Sequence, residues 1–292
     1  MNKFTKLGLF TLLLATVIFS SCKKDYESIE STDDAAIQAY LKKNNLNFEK
    51  DPTKGYYYKI NTQGTGSKVE NQDSVYYTYT FKTLSGQVLQ QTSDLMILGT
   101  YLGYTDQFRI NSQTVNYIFA PVREVLTKLN RGGNATLIMP SHLAFGKNGI
   151  SALNIGSNEN ILVDLVMYTQ SKRHEIDELE INKFIANNNL TLTKDPSRAR
   201  YSIITPGTGT DAINVNSTIV VNYTLRTLDG VQVQSVTDGS YSSVLGDLIK
   251  GWQLIIPGKL TAGGKMRLII PSDLAYGASP LDYDIEIVSV TN

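Results

Sequence analysis

Alternation of apolar and polar positions is the main pattern in this chain, and its period is that of a strand. Leu281, Tyr283, Ile285 and Ile287 alternate with Asp282, Asp284 and Glu286, and Val221, Tyr223 and Leu225 alternate with Asn222 and Thr224. Tyr77, Tyr79 and Phe81 set out the second of these runs earlier in the chain. A period of two puts apolar side chains on one face and wet ones on the other, as in an antiparallel strand. Leu84-Ser85-Gly86 and Leu228-Asp229-Gly230 close two of the runs as turns before another extended segment. Helical spacing is scarcer. It predicts a helix from Ala35 to Asn44, with Ile37, Tyr40 and Leu41 on one face, and another from about Ile176 to Asn187, carrying Leu179, Ile181 and Phe184. Asn-rich ends stop both. Shorter helical stretches surround Trp252 and the run Val122, Val125, Leu126, Leu129.

The pattern occurs twice. NNLNFEKDPTKGYYYKINTQGTGS from Asn44 returns as NNLTLTKDPSRARYSIITPGTGT from Asn188. Copies lie 144 residues apart at Asp51/Asp195 and Tyr79/Tyr223, 131 at Pro140/Pro271 and 120 at Asp164/Asp284, so the first copy carries two insertions. A spacing this long means tandem domains, because solenoid repeats of roughly 20–50 residues must stack to bury a core. Each copy, at roughly 120 residues, is large enough for a core of its own. The expected fold class is α+β: two tandem domains, at 35–172 and 173–292, each a curved antiparallel β-sheet wrapped on a short helix and preceded by a short helical arm. Gly-Thr-Gly at 64–66 and 207–209 lacks phosphate-loop spacing and reads as a turn between strands.

The N-terminus bears on compartment. Lys3 and Lys6 precede an apolar run from Leu7 to Phe19, then Ser20, Ser21 and Cys22. The run falls short of the roughly 20 residues of a spanning helix and reads as an export signal over 1–21. Cys22, the single cysteine, stands where bacterial lipoproteins are acylated. Two or more acyl chains, at roughly 0.8 kcal/mol per buried methylene, anchor a protein stably. The polar segment 22–34 then reads as a flexible tether. The expected location is extracytoplasmic, on the outer membrane, facing the periplasm or the cell surface.

Composition works by exclusion. Lys plus Arg equals Asp plus Glu at 27 each, without a basic stripe, which argues against a nucleic-acid partner. With Cys22 used for lipid no disulfide remains, so the cores hold by packing. His142 and His174 are the two histidines, far apart and without metal-ligand spacing, so neither a metal site nor a histidine-based triad is expected, and both read as solvated. No cofactor is implied, and no carboxylate pair stands out for polysaccharide chemistry.

VNYTLRTLDG, then VLGDLIKGWQLIIPGKLTAGGKMRLIIPSDLAYGAS, then LDYDIEIVSV resembles the FKBP-type peptidyl-prolyl cis-trans isomerases in order and spacing over about Asn216 to Val290. The most specific stretches are Leu248-Ile249-Lys250-Gly251-Trp252 and Pro271-Ser272-Asp273-Leu274-Ala275-Tyr276-Gly277. The preceding helix and Gly-Thr-Gly segment also resemble the arms of bacterial lipoproteins of that type, and with the repeat the chain is identified as a tandem-domain lipoprotein of the family. The resemblance implies two FKBP-like domains acting on proline-containing polypeptides. It implies that Trp252 forms a pocket floor, that Tyr223, Val233, Tyr241, Leu248 and Tyr283 form walls, and that the Ile249 N–H and the Tyr276 hydroxyl make the polar contacts. Such chemistry needs neither nucleophile nor metal. Twisting an Xaa-Pro amide opposes a barrier of roughly 18–20 kcal/mol, and a dry apolar pocket favours the twisted form, which has less charge separation.

Departures from the family pattern matter. Val233 and Gln234 stand where an aromatic and an aspartate are usual, and the loop Ala278-Ser279-Pro280 is short. In the first copy the alignment puts Pro121 at Trp252, Phe145 at Tyr276, Val163 at Tyr283, and Leu89 and Gln90 at Val233 and Gln234. The first copy is therefore expected to lack catalysis, with Tyr101 to Asn116 either covering the site or extending a binding face. The competing reading is a non-catalytic chaperone or protein-binding lipoprotein built on the same domains.

Overall fold

The computed structural model describes residues 28–110 and 115–292. The export signal, Cys22 and the lipid-anchor reading lie outside the described residues. Helix α1 (Ile29–Lys43) begins earlier than its apolar spacing suggests. Ser28 caps it, its hydroxyl accepting from the Ser31 N–H at 3.3 Å. The tether reading of 22–34 is corrected here: residues 29–34 are helical, and their polar side chains make tertiary contacts. Asp33 is buried and accepts from the Ser141 hydroxyl at 2.8 Å, while Asp34 accepts from the Tyr57 hydroxyl at 2.6 Å.

The first copy continues through β1 (Glu49–Lys50), β2 (Tyr57–Thr62), β3 (Ser74–Thr83), β4 (Val88–Gln91) and β5 (Leu98–Tyr101). It then runs through β6 (Gln107–Ile110), β7 (Val115–Ile118), α2 (Ala120–Leu126), β8 (Asn134–Met139) and β9 (Ile161–Met167). The second copy runs α3 (Arg173–Asn187), β10 (Thr193–Lys194), β11 (Arg200–Thr205), β12 (Thr218–Thr227), β13 (Gln232–Val244), α4 (Lys250–Ile255), β14 (Lys265–Ile270) and β15 (Leu281–Thr291).

Strand order is the same in the two sheets, β1-β2-β8-β9-β3-β4 with β5 also on β3, and β10-β11-β14-β15-β12-β13, and every pairing is antiparallel. Where the second copy has one long edge strand, β13, the first has β4 and β5 with a loop between them. Each sheet closes its concave face on its short helix, α2 or α4, and this is where each main core sits. The Gly-Thr-Gly turns behave alike: Gly207 has φ +97°, and a Cβ there would meet the Thr261 carbonyl oxygen at 2.6 Å.

The opposite face of each sheet is not simply wet. Ile37 and Leu41 of α1 cover Tyr57, Ile138 and Leu162, and Ile181 and Phe184 of α3 cover Leu228 and Ile269. Leu179 does not join them; it is exposed, because Ile176, Glu180 and Phe184 set the buried stripe. Asp282, expected on the wet face of β15, is likewise buried, accepting from Arg267 Nε and Nη2 at 2.9 Å each and from Arg226 Nε at 3.3 Å. Helical arm and sheet are bound in the same way in the two copies: Asp177 accepts from the Ser272 N–H at 2.9 Å and its hydroxyl at 2.7 Å, matching Asp33 and Ser141.

Helix α3 also carries the contact between copies. Ile97 donates its N–H to Glu180 Oε1 at 2.6 Å, and Arg173 Nη1 donates to the Ile97 carbonyl at 3.2 Å. Around this joint Tyr76, Ile97 and Ile176 form a small apolar cluster, and Lys183 pairs with Asp94.

Candidate functional site

Local structure in the second copy converges on one depression. The pleat of β12 points Tyr223 to the concave face, and β13 delivers Tyr241 opposite Val221. Tyr283 comes from β15, paired with Leu225. Gly251 lets α4 approach the sheet closely, since a Cβ there would meet Ile270 Cγ2 at 2.5 Å. Trp252, one residue on, is thereby pressed into the core, with 3% of its surface exposed. Its ring meets Tyr223 edge-on at 5.6 Å and 84° and Tyr283 at 5.4 Å and 81°, while Tyr223 meets Tyr241 at 5.4 Å and 78°. Edge-to-face contacts of this kind add roughly 0.5–1.5 kcal/mol each beyond area burial, so the cage is rigid.

Tyr223, Tyr241, Leu248, Ile249, Trp252, Tyr276 and Tyr283 line about 270 Å³ of open space. That space takes in open solvent at the mouth, so the enclosed part is small and suits a single ring. The lining carries no charged side chain. Burial raises the Tyr223 phenol above its ordinary pKa. Burial first, and then the neighbouring Tyr276 hydroxyl, does the same more strongly for Tyr283. Both phenols are therefore neutral at physiological pH. Tyr276 stands at the lip, 70% exposed, with its hydroxyl at the mouth.

Ile249 is the N-cap of α4, and among the described residues its N–H has no protein acceptor, leaving one donor at the pocket wall. Gln253, which sequence reasoning passed over, fixes this wall: its Nε2 donates to the carbonyls of Gly246 at 2.8 Å and Leu248 at 2.7 Å. A glutamine near a helix start is too common to mark itself out.

Two expected site residues stand elsewhere. Val233 is 58% exposed and outside the lining, and Gln234 is exposed beside it. Register is the reason: Tyr223 and Leu225 of the core face pair with Val236 and Gln234, and Val233 lies unpaired in the bulge that follows. Val236, opposite Tyr223, packs against the core in its stead. His142 and His174 are both exposed, His142 with its Nδ1 3.3 Å from Asp33. Among the described residues no cluster of His, Cys, Asp or Glu is placed to hold a metal.

The matching volume in the first copy is full. Hairpin β6–β7 inserts Phe108 against Tyr79 at 5.1 Å, Phe81 at 5.3 Å and Phe119 at 5.0 Å. Phe145, at the position of Tyr276, is buried and meets Phe119 edge-on at 5.2 Å. Counted by hydrogen bonds from the caps Phe119 and Ile249, Val122 rather than Pro121 takes the step of Trp252. Either way the indole has no counterpart, and Phe108 of the insertion fills the matching volume.

Comparison with known proteins points to one family. The family model of FKBP-type peptidyl-prolyl cis-trans isomerases matches residues 209–288. Over 101 residues the chain is 34% identical to FK506-binding protein 1 of Saccharomyces cerevisiae, taking in 30% of this chain and 88% of the yeast protein. This chain belongs to the FKBP-type family. It is also 31% identical over 109 residues to the macrophage infectivity potentiator of Trypanosoma cruzi, spanning 33% of this chain and 55% of that protein. To FkpA of Escherichia coli it is 34% identical over 101 residues, spanning 31% of this chain and 37% of FkpA. Among solved structures, the three FKBP domains of wheat FKBP73 align over 81% of this chain and 94% of theirs at 15% identity and TM-score 0.31. The FkpA crystal structure aligns over 57% of this chain and 72% of its own at 18% identity and TM-score 0.37.

Proposed function

We propose that the second copy catalyses cis–trans isomerisation of Xaa-Pro bonds in exported polypeptides, while the first serves as a non-catalytic domain that holds the second away from a membrane and contributes to binding. The observation that carries this reading is the uncharged aromatic cage over Trp252 with one free backbone donor, Ile249 N–H, at its wall. A proline ring packs on the indole, and the Ile249 N–H and the Tyr276 hydroxyl hold the flanking carbonyls. An amide loses charge separation as it twists, so a pocket without charges favours the twisted form over the planar one. Each tenfold acceleration takes about 1.4 kcal/mol of that preference.

Prolyl-exchange NMR of a proline tetrapeptide with the full chain tests the assignment. Wild-type protein is expected to broaden the cis and trans peaks, and Trp252→Leu to lower the exchange rate about tenfold or more. A folded wild-type chain that leaves exchange at the peptide background refutes it. The compartment belongs to the same reading. Acylation at Cys22 anchors the protein on the extracytoplasmic side, at the outer membrane, and the span from Cys22 to the helix cap Ser28 is short. A Cys22→Ala variant that stays in the membrane fraction rules the anchor out.

A further inference from the structure

Beside the pocket lies a second groove, lined by Ser74, Tyr76 and the strand from Ile97 to Tyr101 on one side and by Gly277, Ala278 and Ser279 on the other. Strand β5 is an edge: it pairs with β3 alone. In an antiparallel strand successive residues turn their backbone groups to opposite sides. On β3, Tyr76 O accepts from the Tyr168 N–H at 2.8 Å, and Ser74 O accepts from Arg131 Nη2 at 2.7 Å, so these two residues face away from β5. Their partners across the ladder, Gly99 and Tyr101, therefore face away from β3. Ile97, on the same phase, already has its outward pair occupied, N–H by Glu180 and carbonyl by Arg173. The next outward groups are open: among the described residues the N–H and C=O of Gly99 and the N–H of Tyr101 have no partner, while the Tyr101 C=O opens the 3-10 turn Leu102–Tyr104.

Resting on the isomerase reading above, we infer that β5 takes up the extended segment flanking a substrate proline as an added strand, paired at Gly99 and Tyr101, while the proline sits in the cage of the second copy. Donors and acceptors repeating every second residue are matched by extended polypeptide and by little else. Gly99 lets the Tyr76 ring lie flat against β5, since a Cβ there would meet Tyr76 Cε1 at 2.5 Å. Continuity joins groove and cage: Gly277–Ser279 follow directly on Tyr276 at the lip, so a chain leaving the cage past Tyr276 runs onto this wall. In the second copy the edge strand β13 has two register shifts in its pairing with β12, which suit it poorly as a template.

Tyr101→Pro is the discriminating variant. Proline deletes the outward N–H without touching the β3 ladder, and the φ of Tyr101, −77°, is one that proline adopts. Tyr101→Ala removes the ring and keeps the N–H. The readout is the ratio of kcat/KM for a long unstructured proline peptide to that for a proline tetrapeptide, which reaches the cage alone. The ratio is expected to fall about tenfold in Tyr101→Pro, the loss of one or two main-chain hydrogen bonds, and to hold in Tyr101→Ala. An unchanged ratio in Tyr101→Pro overturns the inference. Hydrogen exchange on the wild-type chain decides the matter independently of turnover and of any variant's folding. The long peptide is expected to protect the Gly99 and Tyr101 amides, and the tetrapeptide to leave them exchanging. Protection that grows with protein concentration and needs no peptide would instead make a second copy of this chain the occupant, and the inference would fall. A chain inactive on the tetrapeptide that still shows peptide-dependent protection would fail as an isomerase and keep the groove.

Discussion

Phe108 meets Tyr79 edge-on at 5.1 Å, in the space that the second copy leaves open before Tyr223. The two copies thus share a sheet and differ in what fills its concave face: in the first an inserted hairpin supplies its own aromatic ring. Phe108→Ala is expected to destabilise the first copy by about 3–5 kcal/mol through the cavity it leaves, and to confer no isomerase activity, because no indole or tyrosine stands at the other site positions. Trp252, the single tryptophan, reports on the second copy. The denaturation midpoint should therefore drop by circular dichroism in one transition, with the fluorescence transition nearly unmoved. A shift in fluorescence alone would contradict the assignment.

Tyr276→Phe separates chemistry from packing. The side chain is largely exposed, so stability should stay within about 0.5 kcal/mol of wild type. Turnover of the tetrapeptide should fall roughly three- to tenfold, the worth of one hydrogen bond. Unaltered turnover would remove the hydroxyl from the mechanism.

Asp177 ties α3 to the turn that leads to Tyr276, accepting from Ser272 twice and from Arg173 Nε at 2.6 Å. Asp177→Ala leaves the buried Ser272 N–H and hydroxyl and the Arg173 Nε–H without their acceptor, and is expected to cost about 3–5 kcal/mol. Urea titration followed by tryptophan fluorescence measures it. Asp33→Ala is the matching change in the first copy, and its effect should appear by circular dichroism.

Glu180 gives the joint between copies a pH dependence. Burial pushes its carboxyl up to about 7, against the pull of Arg173 and the Ile97 N–H, with Asp177 adding to the rise. A raised folded-state pKa contributes stability that is fully present below the unfolded value of 4.5 and is lost as pH rises through about 7. The joint should accordingly loosen between pH 5 and 8, seen as faster exchange of the Ile97 amide than the chemical rate alone predicts. Glu180→Gln should flatten that dependence. A joint that tightens as pH rises would show that Arg173 dominates.

How much was legible can be judged residue by residue. The faces of β12 and β15, the repeat, and the aromatic set Tyr223, Tyr241, Trp252, Tyr276 and Tyr283 were open to reading, because strand period and motif spacing are local properties. Val233 was misplaced because the register of β13 against β12, which sets Val236 opposite Tyr223, is not written in the local pattern of β13. Asp33 and Asp34 read as tether because their partners, Ser141 and Tyr57, are distant in sequence.

By itself, then, the sequence determined two antiparallel α+β copies and an uncharged aromatic site in the second, since period, turn residues and repeated motifs act over a few neighbours. The tertiary structure alone decided that Phe108 fills the first site, that Glu180 and Arg173 occupy the outward groups of Ile97, and that those of Gly99 and the Tyr101 N–H stay open. Each of these joins residues far apart along the chain, and which backbone groups find partners is settled only when the two copies pack.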